Sequence, residues 1–165
     1  MKIYVVCDLE GTAGVFDFKL QCMEEERYYQ QAIRMATLEL NNLTVSRKTS
    51  GNIPLLPYQK MKDSVLGKKY ELDISFVDTQ TSTQLHKEFK KKSGPANILS
   101  FPYEEDAGEI IIHLETVRRQ ARQYGRTYHE HLLFLIIHGM LHLLGYEHGD
   151  EMEGLEEGWF GKLKP

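Results

Sequence analysis

Residues 129–144 limit what this chain can fold into more than any other stretch. Apolar side chains cover nearly every face of the helix that their spacing predicts, and such a helix has to be enclosed by other elements. The longest apolar run, 132–144, is interrupted by His138, Gly139 and His142. It falls short of the about 18 continuous apolar residues of a membrane span. The helix therefore belongs at the centre of a globular core.

The elements that enclose it lie on either side. Residues 43–45, 70–77, 98–101 and 108–112 read as strands, the third stopped by Pro102. Pro54 and Pro57 flank the start of a predicted helix that ends near Gly67, and further helices are predicted over 81–91, over 116–124 and over about 151–163. Strands and helices interleave, which predicts an α/β (α+β) fold, a small mixed sheet packed against helices. At 41% hydrophobic and 27% charged residues, the composition excludes a disordered or collagen-like chain. Cys7 and Cys22 are too few for a disulfide framework and read as reduced thiols of a cytoplasmic protein. Asp8 and Glu10 interrupt the apolar N-terminal run, so no signal peptide is expected.

The first 41 residues stand apart. They predict a strand over 2–7 and a helix over 24–40, with Tyr28, Ile33, Ala36 and Leu40 at helical spacing, before a break at Asn41-Asn42. The expected organisation is an N-terminal strand-helix extension, 1–41, and a main domain, 42–165. The middle of the chain is slightly basic between two acidic ends, which is compatible with a nucleic-acid partner without requiring one.

The chemistry concentrates in residues 138–148, His-Gly-Met-Leu-His-Leu-Leu-Gly-Tyr-Glu-His. Residues four apart share one helix face, so His138 and His142 aim at one point. Gly145 can take the left-handed conformation that ends a helix and turns the chain back, which lets His148 approach as a third ligand. Three protein ligands and an open position form the pattern of a catalytic zinc site. Nickel suits imidazole as well. The spacing also matches a metzincin protease, but those enzymes need a glutamate after the first histidine, and Gly139 stands there.

The same eleven residues resemble the signature of the YbeY family of rRNA-maturation endoribonucleases, H-G-x-L-H-L-x-G-Y-D-H, with Glu147 in place of aspartate. Residues 95–102, Pro-Ala-Asn-Ile-Leu-Ser-Phe-Pro, are similar to that family's P-T-D/N-V-L-S-F-P segment, and 108–112 resembles its G-D-I-x-I strand. The resemblance implies a zinc-dependent cut in single-stranded RNA, with small-subunit rRNA 3′-end maturation and ribosome quality control as its setting. It implies the small ribosomal subunit as partner, and no membrane. Where the family usually shows N-x-x-Y-R, this chain has His86-Lys-Glu-Phe89-Lys90. Lysine keeps the charge but loses the bidentate fork. Lys90 is thus a candidate catalytic residue, and Lys90, Lys91 and Lys92 are candidate contacts to an RNA backbone. Without a carboxylate at position 139, proton transfer falls to water activated by the ion or to a residue elsewhere, such as Glu105 or Glu109.

The opening segment, with Asp8-Leu-Glu10-Gly11, looks like the start of zinc D-aminopeptidases, where the aspartate and glutamate are metal ligands. The other ligands of that family are absent, so an added strand and helix is the expectation. Two alternatives to the nuclease remain at this point: a metal-dependent hydrolase of other substrates such as peptides, and a non-catalytic ribosome assembly factor with a structural metal.

Overall fold

Alternation of buried and exposed residues defines the sheet. In the second strand Leu72, Ile74 and Phe76 point inward, while Glu71 and Asp73 face out. The computed structural model describes residues 42–49 and 53–164. The expectations for residues 1–41, Asp8 and Glu10 among them, lie outside that range. Four strands, β1 (Leu43–Arg47), β2 (Glu71–Phe76), β3 (Ile98–Glu104) and β4 (Ala107–Ile112), form one sheet in the order β1-β2-β4-β3. β1, β2 and β4 are parallel, and β3 runs antiparallel to β4, so the sheet is mixed, as expected.

Five helices complete the described chain: α1 (Tyr58–Val65), α2 (Thr79–Lys90), α3 (Leu114–Gln123), α4 (Tyr128–Leu143) and α5 (Asp150–Leu163). α4 occupies the centre and touches α1, α3, α5, β3 and β4. Eight of its leucine, isoleucine and methionine side chains are buried. At about 1.5–3 kcal/mol for each apolar side chain removed from water, this helix supplies a large part of the driving force for folding.

The helix starts differ slightly from expectation because their caps are side-chain devices. Thr127 Oγ1 accepts from the Glu130 backbone N–H (3.2 Å) while Glu130 Oε2 accepts from the Thr127 N–H (2.9 Å), a capping box that starts α4 at Tyr128. Asp78 accepts from the Thr81 N–H (2.7 Å) and starts α2 at Thr79.

The expectation that Pro102 stops the third strand is corrected. β3 continues through it, with Pro102 opposite Gly108 and a register shift between Pro102 and Glu104. β3 is an edge strand bonded to β4 alone, and there a residue without an N–H is tolerated.

Candidate metal centre

His138 and His142 are brought onto one side of α4 by their spacing, and the end of that helix brings in His148. Gly145 takes φ +87°, its N–H donates to the His142 carbonyl (3.0 Å), and the Tyr146 N–H donates to the Leu141 carbonyl (3.1 Å). This is the Schellman motif, which ends the helix and reverses the chain. The three rings lie 4.6 to 5.2 Å apart between centroids, and one ligand atom from each falls within 4.8 Å of the others. The three histidines can therefore hold one metal ion.

The second nitrogens decide how they would do so. His138 Nδ1 donates to Glu156 Oε1 on α5 (2.6 Å), and His142 Nδ1 donates to the Tyr146 carbonyl (2.9 Å). Both rings are thus fixed in the tautomer that leaves Nε2 free, with the outer-shell partners that metal-ligating histidines usually have. Burial, then the charge of His138, holds the His142 pKa below its ordinary value and favours the neutral form a ligand needs. His148 is exposed, so the cluster is open on one side. An open three-nitrogen set has the pattern of a metal site that keeps a position for water or substrate, whereas structural sites are closed by four protein ligands.

Position 139 faces the sheet. A Cβ on Gly139 would come within 2.8 Å of Ile98 Cδ1, 3.0 Å of Ser100 Oγ and 3.1 Å of Ile110 Cδ1. Glycine stands there because the helix backbone rests on the strands, and no carboxylate at that position would have room.

Glu109 is not brought to the histidines. Gly108, Ile110 and Ile112 of β4 face α4, so Glu109 lies on the other side of the sheet. There its Oε1 accepts from Ser75 Oγ (2.9 Å), and its Oε2 accepts from the Tyr103 hydroxyl, pushing that tyrosine's pKa up to about 12. This corrects its candidacy as a base. Glu105 sits exposed in the turn between β3 and β4. Lys90, Lys91 and Lys92 are exposed at the end of α2, where Lys91 Nζ donates to the Glu88 carbonyl. The preceding Phe89 packs edge-on against Phe101 of β3, with centroids 4.9 Å apart.

The sequence reading missed Glu156. A signal existed: Glu156 follows Met152 by four residues and precedes Leu163 by seven, so it shares the buried stripe of α5. Between α4 and α5 runs a cleft of about 460 Å³, lined by His138 and His148 and, further along, by Tyr124, Arg126 and His131.

A mixed sheet with a central helix that carries an open three-imidazole group defines a small α/β protein with a group that can hold a metal ion. Comparison with known proteins narrows this class. A model of the family described as endoribonuclease YbeY matches residues 29–160, and the chain belongs to that family. Proteins named endoribonuclease YbeY from Aquifex aeolicus and Colwellia psychrerythraea are 39% identical over 100 residues and 37% identical over 94. These alignments cover 57% and 53% of this chain and 65% and 61% of the relatives, so the chain spans less than two thirds of the length of the curated proteins it matches. The solution structure of TM1509 from Thermotoga maritima is similar with a TM-score of 0.54 and 26% identity, covering 73% of this chain and 88% of that one.

Proposed function

We propose that this protein is a zinc-dependent endoribonuclease that cuts single-stranded RNA, acting in the cytoplasm on the 3′ end of small-subunit rRNA and in ribosome quality control. One observation carries the reading: an open group of three histidines, two of them oriented through Nδ1, in a member of the endoribonuclease YbeY family. His138, His142 and His148 hold the ion. When bound, zinc lowers the pKa of water toward neutrality and offsets negative charge on a phosphoryl oxygen.

The chain's own residues do the positioning. Glu156 accepts the His138 Nδ1–H, fixes its tautomer and raises its basicity. The Tyr146 carbonyl does the same for His142. Exposed His148 leaves the approach open to a phosphodiester. Lys90, Lys91 and Lys92 contact the RNA backbone as point charges, and Lys90 stands where the family usually has arginine. The open side of the cluster favours an enzyme over an assembly factor with a structural metal. The close packing of Gly139 on the sheet disfavours a peptidase that carries its base at that position.

Purified protein loaded with zinc is expected to cut single-stranded RNA, to stop on chelation, to recover when zinc is restored, and to leave casein intact. Charge reversal at Lys90 is expected to weaken binding to many RNA sequences alike. Chelator-sensitive peptide cleavage with no cleavage of RNA would overturn the reading.

A further inference from the structure

Tyr124 and Arg126 lie outside the histidine cluster but line the same cleft. Tyr124 follows the last residue of α3 and is 65% exposed. Its ring lies nearly flat on that of His131, with centroids 5.2 Å apart and planes 19° from parallel. His131 is 2% exposed, and among the described residues neither of its ring nitrogens has a hydrogen-bond partner. A buried polar ring normally finds a partner. This one gives its flat face to Tyr124. Burial, then the charge of Arg126, lowers its pKa and favours the neutral imidazole. The result is an exposed aromatic ring backed from one side by a second ring and open to solvent on the other.

Arg126 is held in place by aromatic faces. Its guanidinium lies 3.9 Å from the centre of the Phe134 ring and 5.2 Å from that of Phe160. Among the described residues no carboxylate pairs with it. His131 precedes His138 by seven residues on α4, which places the platform about 10 Å along the helix from the histidines. One strand can reach both.

We propose that Tyr124 is a stacking platform for an unpaired nucleobase of the RNA substrate and that Arg126 contacts the adjoining phosphate. The inference rests on the endoribonuclease reading and deepens it. Glu153 and Glu157 on the α5 wall repel phosphate, so the charged backbone follows the Arg126 side. The neutral base is the part of the strand that can face those carboxylates, which accept from its amino groups. A base inside a duplex has both faces covered by its neighbours and cannot use Tyr124. An unpaired base can, and stacking of this kind tolerates any sequence. The platform therefore selects single strands rather than sequences.

The test uses the full zinc-loaded chain and a labelled single-stranded RNA oligonucleotide, with fluorescence anisotropy as readout. Tyr124→Ala is expected to weaken single-strand binding by about 5- to 150-fold. Tyr124→Trp restores it, zinc content stays the same, and affinity for a duplex of the same sequence does not change. Replacing one base with 2-aminopurine gives a second readout: its fluorescence is quenched on binding to the wild type and to the Trp variant, and not by Tyr124→Ala. Arg126→Gln is expected to lower the slope of log affinity against log salt by about 0.7, one phosphate contact on a single strand. Unchanged single-strand affinity in Tyr124→Ala, or equal weakening for single strand and duplex, overturns the inference while the wild type still binds and cuts RNA. A wild type that neither binds nor cuts RNA overturns the inference together with the reading beneath it.

Discussion

At His138 the contact with Glu156 couples two helices to one ligand. The carboxylate is buried, and its 2.6 Å hydrogen bond to Nδ1 is the reason the ring presents Nε2 to an ion. Removing the charge while keeping the shape isolates this role. Glu156→Gln is expected to weaken zinc binding by about 10- to 100-fold with the fold intact, read by competition with a chromophoric chelator. His138→Ala, which removes a ligand outright, is expected to abolish stoichiometric zinc. Equal zinc affinity in wild type and Glu156→Gln would show that the carboxylate has no part in the centre. Gly139 is governed by packing. Alanine there gains about 1 kcal/mol of helix propensity but meets three close neighbours, and crowding of that kind costs about 1–3 kcal/mol. Because Ile110 is fully buried and cannot move outward, the crowding wins. Gly139→Ala is expected to lower the melting temperature, and a rise would mean that the strands give way more easily than their burial implies.

Helix α4 is built to start at one residue and stop at another. Its start depends on Thr127 and Glu130, and Glu130 also pairs with Lys164 just beyond α5, tying the end of the chain to the central helix. The hydrogen bond with Lys164, and then those with Thr127, hold the Glu130 pKa down to about 2. A carboxylate whose pKa is lower in the folded than in the unfolded state adds stability above its unfolded value. That contribution is lost as pH falls through the folded one. The window here runs from about 4.5 down to about 2. Acid titration of the melting temperature is expected to show a smaller loss across that window for Glu130→Gln than for the wild type. Identical acid limbs would mean that the interaction does not survive in solvent.

At the scale of the whole molecule, the expected boundary at residue 41 has a direct test. The described sheet and helices from Asn42 onward pack around a hydrophobic cluster of their own and carry the three clustered histidines. The family match reaches further back, to residue 29. A fragment beginning at Asn42 is expected to fold and to bind zinc as the full chain does, with a modest loss of stability, measured by elemental analysis and thermal melting. If it is insoluble or metal-free while a fragment beginning at Tyr29 is neither, the boundary at 41 is in the wrong place.

What the sequence determined by itself is local. Alternation set the strand at 70–77, a run of branched residues set that at 108–112, a stretch apolar on nearly every face set α4, and the i, i+4 histidines followed by Gly145 set the candidate metal group, because each depends on residues close together in the chain. The family was legible for the same reason, since its signature is one continuous segment. The rest needed the tertiary structure. Pro102 lies within a strand because β3 is at the sheet edge, a position that only the strand order reveals. Gly139 is a contact point because α4 crosses β3 and β4 at that residue. Glu109 faces away from the histidines because α4 packs on the other side of the sheet. Glu156 reaches His138, and Tyr124 lies flat on His131, across gaps that no spacing along the chain encodes. Those contacts follow from how buried faces pack together, and packing joins residues by shape rather than by their order in the chain.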